Sequence, residues 1–218
     1  GMGLERLALA SQQVDSLFKT DIFQPIIDKA CDHLEAKYDE NEISFNIIAD
    51  HIRALVFAIS EGVLPSNEGR GYVLRQILRR GMRKGFSIHP ELDSGSAVSI
   101  KNEPFLHKLV QVVCEVMNEH YPELRERQEQ ISQIIHAEEE GFIRTLGRGM
   151  EMLEEILSNV SLRGSSEAIS TLTGEEVFKL YGTYGLPPDI VREKAKEKGI
   201  EVDMGGFEKE MEAQRELA

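Results

Sequence analysis

The expected fold class is mainly α-helical, a multi-helix arrangement with long helices and no substantial sheet. Apolar residues recur at i, i+3 and i+4 in segment after segment and almost nowhere alternate. Residues that open helices, namely Pro, Ser, Thr, Asn and Asp, stand just ahead of several of those segments. The composition, 41% hydrophobic and 29% charged over 218 residues, suits a folded chain with a real core.

Residues 1–12 read as a short helix opened by glycines, with Leu4, Leu7 and Leu9 close together. Asp15 and Thr20-Asp21 break the chain before a second helix, Ile22 to Tyr38, which carries Phe23, Ile26, Ile27, Ala30 and Leu34 at helical spacing. Pro25 is compatible with it, since in a first turn the missing N–H removes no intrahelical bond. The acidic run from Tyr38 to Glu42 reads as an exposed connection. Ser44 is expected to cap a third helix ending near Glu61, with Ile48, Ile52, Leu55, Val56 and Ile59 as its apolar stripe. His51 is expected to be a satisfied packing residue there, because no second metal ligand follows at i+4.

Residues 62–71 form a turn, in which Pro65-Ser66-Asn67-Glu68-Gly69 favour bends and tolerate positive φ. Projecting the next helix at about 100° per residue separates two faces. Arg75, Gln76, Arg79, Arg80, Arg83 and Lys84 fall on one; Leu74, Ile77, Leu78, Gly81 and Met82 on the other.

Residues 86–102 read as a loop on the same side, and Asn102 is expected to cap a helix with Pro104 in its first turn. Phe105, Leu109, Val112, Val113 and Val116 should pack inward, and Tyr121-Pro122 should end that helix. A long helix follows from about Glu123 to Val160, with Leu124, Ile131, Ile135, Phe142, Leu146, Leu153 and Leu157 along one side. Gly141, Gly147 and Gly149 mark a kink or a close backbone crossing. Ser161 to Ser170 reads as a linker, and Thr173-Gly174-Glu175-Glu176 as a capping box ahead of Val177, Phe178 and Leu180. Tyr181 to Pro188 reads as a second turn cluster, with Pro188 opening a helix that stops at Gly199. Asp203 is expected to cap a last helix carrying Phe207, Met211 and Leu217.

Charge singles out one stretch. No acidic residue lies between Gly69 and Pro90, while Arg70, Arg75, Arg79, Arg80, Arg83 and Lys84 all do. Taking those six out of the net −13 leaves −19 for the remaining chain. Such an acidic remainder argues against a protein that coats nucleic acid with its whole surface. It leaves room for a local anion site, because charges beyond the Debye length of ~8 Å are largely screened. Arginine outnumbers lysine five to one in this group, and the planar guanidinium suits bidentate phosphate contacts. The alternative is a solvated face paired with the chain's own carboxylates. Cys31 and Cys114 are too far apart in sequence for a zinc motif and too few for a disulfide framework, and read as two reduced thiols. No apolar run of membrane-spanning length and no secretory segment is apparent, so no membrane partner and a cytoplasmic setting are expected.

Three segments carry a family resemblance. GMGLERLA, DHIRALVFAISEGVLPSNEGRGYVLRQILRRGMRKG and GEEVFKLYGTYGLPPDIVREKAKEKGIEVD, in that order and spacing, resemble alanyl-tRNA synthetase, a class II aminoacyl-tRNA synthetase, over essentially the whole chain. The resemblance implies three regions. Residues 1–43 would end the class II catalytic domain with its third signature motif; residues 44–160 would be a helical tRNA acceptor-stem-binding domain; residues 161–218 would complete the tRNA-recognition region. The intact enzyme would activate alanine with ATP and magnesium and esterify it to tRNA(Ala). With one signature motif of three, this chain is expected to hold no complete catalytic set, no metal and no cofactor, and not to aminoacylate alone.

The resemblance also assigns residues. Arg6 matches the motif arginine that contacts the γ-phosphate of ATP. Asn67 matches the asparagine that helps read the G·U wobble pair of the acceptor stem, where an amide can present donor and acceptor to the shallow minor groove. Arg70, Arg75, Arg79, Arg80, Arg83 and Lys84 would follow the stem backbone. One position departs: the family's Leu-Tyr-Asp-Thr-Tyr-Gly segment is here Leu180-Tyr181-Gly182-Thr183-Tyr184-Gly185. Gly182 therefore stands where the second wobble-pair reader, a carboxylate, is expected. A non-catalytic helical RNA-binding module, a synthetase-like paralogue and a protein-interaction domain are the competing functions.

Overall fold

A computed structural model of the chain describes residues 3–88, 103–163 and 171–216. The described residues form nine α-helices and one pair of two-residue strands, in keeping with the mainly helical expectation. The chain divides into two compact units, Gly1–Glu140 and Gly141–Ala218.

In the first unit, α1 (Leu4–Gln12) and α2 (Gln24–Leu34) precede the central helix α3 (Glu42–Ser60). Ile48, Ile52, Leu55 and Val56 are fully buried and Ile59 nearly so, so the apolar stripe read from the sequence is the core face. Complete burial of each such side chain contributes ~1.5–3 kcal/mol. By length and composition α3 could cross a bilayer, but here it packs against α2, α4 (Gly69–Phe86) and α5 (Val110–Met117) as a core helix. Pro25 sits in the first turn of α2, as expected. That helix stops at Leu34 rather than Tyr38 because Glu35 turns into the left-handed region, φ 50°, and donates its N–H to Cys31 O. α3 starts at Glu42, ahead of Ser44, because the Asn41 carbonyl already accepts from Ser44 N at 2.9 Å and Phe45 N at 3.1 Å.

The start of α5 is built differently from the expectation. Residues 103–105 are irregular and a 3₁₀ turn, Leu106–Leu109, leads into Val110, so Pro104 is outside any helix. Glu139, fully buried, explains why. Its carboxylate accepts from the N–H groups of Phe105 (2.8 Å), Leu106 (2.7 Å) and His107 (3.1 Å) and meets His107 Nδ1 at 2.8 Å. A side chain from α6 (Glu123–Arg163) thus caps the turn from outside it. The 3₁₀ start also shifts the helical phase: Val110, Val113, Cys114 and Met117 are buried, while Val112 and Val116 are half-buried. The expected loop and Asn102 cap fall mainly in residues 89–102, outside the described residues.

The second unit holds the end of α6, α7 (Gly174–Tyr184), α8 (Pro188–Glu197) and α9 (Met204–Glu216). Strands β1 (Thr171–Leu172) and β2 (Glu201–Val202) pair in parallel, Thr171 opposite Glu201 and Leu172 opposite Val202. α6 runs on to Arg163, three residues past the expected end; residues 164–170 of the expected linker and Leu217 lie outside the described residues. Of the three glycines in α6, Gly149 marks the close crossing, since a Cβ there would lie 2.7 Å from Tyr184 Cβ. The Thr173 capping box forms: Thr173 Oγ1 accepts from Glu176 N at 3.3 Å and Thr173 N donates to Glu176 Oε2 at 3.0 Å. Asp203 caps α9 by accepting from Gly206 N at 2.8 Å. The expected turn cluster from Tyr181 shrinks, because Tyr181 to Tyr184 are helical and the chain leaves α7 only at Gly185, φ 71°.

Cys31 and Cys114 are free, Cys114 buried. Burial, with Glu115 adding, pushes the Cys114 thiol up to about 11.

Candidate nucleic-acid interface

The candidate interface is built on α4 and the turn before it. α4 begins at Gly69, so Gly69, Arg70 and Gly71 belong to the helix rather than to the turn. A Cβ on Gly71 would lie 2.3 Å from both Leu64 O and Ser66 Oγ, so the absent side chain lets the turn fold onto the first turn of α4. Ser66 Oγ donates to Glu68 O at 2.8 Å and accepts from Glu68 N at 3.4 Å, closing the bend that carries Asn67. Asn67 is exposed.

One face of α4 is dry: Leu74, Leu78 and Met82 are buried along with Gly71, Gly81 and Gly85. The six cationic residues do not share one environment. Arg70 and Arg80 are exposed, and Arg80 adds, after His51 and Arg53, to the charges that hold the Asp50 carboxyl below its ordinary range. Arg79, Arg83 and Lys84 are half-buried. Burial first, and the neighbouring Arg75 charge second, pull the Arg79 guanidinium below its usual value.

Arg75 is committed inside the protein. Its Nε donates to Glu138 Oε2 at 3.0 Å and its Nη2 to Glu138 Oε1 at 2.7 Å, a bidentate pair between side chains 17% and 25% exposed. Its third nitrogen, Nη1, donates to Asn67 Oδ1. The structure therefore joins Asn67, Arg75 and Glu138, a grouping that helix projection alone did not contain.

Two apolar residues also lie on this face. Tyr72 and Val73, 44% and 57% exposed, project between Arg79 and Arg83 and between Arg80 and Lys84 respectively. Extending the projection one turn back would have found them. An aromatic ring among guanidinium groups suits contact with nucleic-acid sugars and bases.

Gly182 is in the second unit, on the last turn of α7. It is exposed and a Cβ there would meet nothing within 4 Å, so the position has room for a side chain. Arg6 is exposed on α1. The neighbouring Glu5 accepts from Arg53 Nη2 at 2.7 Å, and the Arg53 guanidinium lies 4.5 Å over the Phe23 ring. Among the described residues, no group of three or more His, Cys, Asp or Glu is placed to hold a metal ion. His51 is satisfied at one nitrogen only: Nδ1 lies 3.1 Å from Asp50, and the buried Nε2 has no hydrogen-bond partner.

All of residues 1–218 match the family described as tRNA synthetases class II (A). The alanine–tRNA ligase of Pseudothermotoga lettingae is 47% identical over 221 residues, and those of Carboxydothermus hydrogenoformans and Halalkalibacterium halodurans are 46% and 43% identical over the same length. Each alignment covers 100% of this chain, and 24%, 24% and 23% of the respective relative. The chain spans about a quarter of the length of the curated relatives it matches.

Proposed function

The chain belongs to the class II (A) tRNA synthetases, in the alanyl-tRNA synthetase family, and from that premise we propose that it grips the acceptor stem of the tRNA that the intact ligase charges with alanine. The carrying observation is the outer face of α4, where exposed Arg70 and Arg80 flank exposed Tyr72 and Val73 at the foot of a turn that presents Asn67. Guanidinium groups hold phosphates of any sequence, and the amide at the tip addresses base edges. Arg79, Arg83 and Lys84 add positive potential from half-buried positions.

On this reading residues 1–43 close the catalytic domain, 44–160 hold the stem and 161–218 complete the recognition region of a cytoplasmic translation enzyme. ATP and magnesium serve the adenylation step of the intact protein. The exposed Arg6 is suited to one phosphate contact there. Gly182 favours a second reading, an RNA-binding module or paralogue that keeps the stem surface without full wobble-pair reading. Glycine offers no side-chain acceptor for the exocyclic amine of guanine.

Changing Arg70 and Arg80 together to Glu is expected to abolish binding to an acceptor-stem hairpin while leaving the helical circular-dichroism signal intact. Affinity of the unmutated chain should fall steeply with salt as condensed counterions are released. Salt-insensitive binding, or binding unchanged by the double substitution, would contradict the phosphate-contact assignment.

A further inference from the structure

We infer that Glu138 and Arg75 are positioning residues that hold Asn67 so that only its amide NH₂ faces the RNA. This rests on the reading of Asn67 as a contact to the acceptor stem. A guanidinium has donors and no acceptor, so Asn67 can meet Arg75 Nη1 only through its carbonyl oxygen, as the structure has it. The oxygen and nitrogen of an amide diverge from one carbon. With the oxygen turned to Arg75, the nitrogen and its two hydrogens are the end left for a ligand.

Glu138 makes that orientation rigid. Its two oxygens take Nε and Nη2 of Arg75 at 3.0 and 2.7 Å, which fixes the plane of the guanidinium and aims the remaining nitrogen at Asn67. The pair is largely withdrawn from water, so it is not a loose surface contact. Glu138 is itself anchored, because the next residue on α6 is the fully buried Glu139 with its three backbone N–H partners and His107.

Two consequences follow for RNA. Arg75 is drawn away from the phosphate contacts, since three of its five N–H groups are used within the protein and its side chain is 17% exposed. Asn67, with its oxygen turned to Arg75, becomes chiefly a reader of acceptors, such as uracil O2, guanine N3 or a ribose hydroxyl.

The test uses the 218-residue chain and two acceptor-stem hairpins differing only in a G·U or G·C pair, titrated across a range of salt. Asn67→Ala should lower the preference for G·U by about fivefold to a hundredfold. Arg75→Lys, which keeps the charge and loses the fork, and Glu138→Gln should lose most of the same preference with an unchanged salt slope. Asn67→Asp, which can still meet Arg75 but turns an oxygen outward, should lose it too. A preference retained in Asn67→Asp would overturn the outward-donor orientation. Weaker binding of both hairpins by Arg75→Gln, which removes the charge, with the salt slope reduced by about one, would make Arg75 a phosphate contact and overturn its positioning role. Preference lost in Asn67→Ala but kept in Arg75→Lys would overturn positioning alone; preference kept in Asn67→Ala would overturn the underlying reading of Asn67. Arg75→Lys decides the matter even if Glu138→Gln proves unstable, and thermal melts identify that case.

Discussion

Asn67, in the turn before α4, and Gly182, in the last turn of α7, are both exposed next to a tightly held backbone, and they differ in what stands there. Around Asn67 the support extends into the side chain: Ser66 closes the bend, Gly71 lets it seat on α4, and Arg75 with Glu138 grips the amide. At Gly182 the support stops at the backbone. Gly149 admits Tyr184, and a Cβ on Gly185 would lie 2.6 Å from the Phe142 ring, so the end of α7 is closely packed, yet nothing lies within 4 Å of where a Gly182 side chain would begin. The architecture for presenting a residue is present at both positions, and a side chain able to read a base is present at one.

Glu139→Ala should leave the N–H groups of Phe105, Leu106 and His107 without their carboxylate and cost about 3–5 kcal/mol, read as a large fall in denaturant midpoint. Gly149→Val attacks the other region by forcing a side chain into Tyr184, at a cost of about 1–3 kcal/mol in thermal or chemical melts. Gly182→Asp places a carboxylate in the open space at the end of α7. It should fold within about 0.5 kcal/mol of the parent, given the open space, and raise the preference for G·U over G·C hairpins by supplying an acceptor.

The smallest effect concerns α1. Backbone N–H bonds, and then Arg53, hold the Glu5 carboxyl below its ordinary 4.5. The tether therefore contributes fully above that value and is lost as pH falls through the lowered one. Its worth is at most about 1 kcal/mol, so amide protection in α1 should fall modestly as the pH is taken below the ordinary 4.5.

Much of the fold was legible because it is local. The α3 stripe, Pro25, the Thr173 box, Pro188 and the Asp203 cap all depend on residues within a turn or two of one another, and all form. The start of α5 was not legible, because its cap is a carboxylate more than thirty residues downstream. For the same reason the wheel grouped Arg75 with the other arginines: its partner Glu138 is 63 residues away, and charge alone cannot separate a guanidinium held inside from one facing water. Tyr72 and Val73 were within reach of the sequence but sat in residues read as close to a turn, since Gly69 and Gly71 resemble turn glycines until their place in α4 is known.

The most direct measurement is a titration of the unmutated chain with the G·U and G·C acceptor-stem hairpins at two salt concentrations. Both hairpins should bind in a salt-sensitive manner through the arginine face, with the G·U hairpin bound more tightly through Asn67. Equal affinity for the two hairpins, or affinity indifferent to salt, would contradict it.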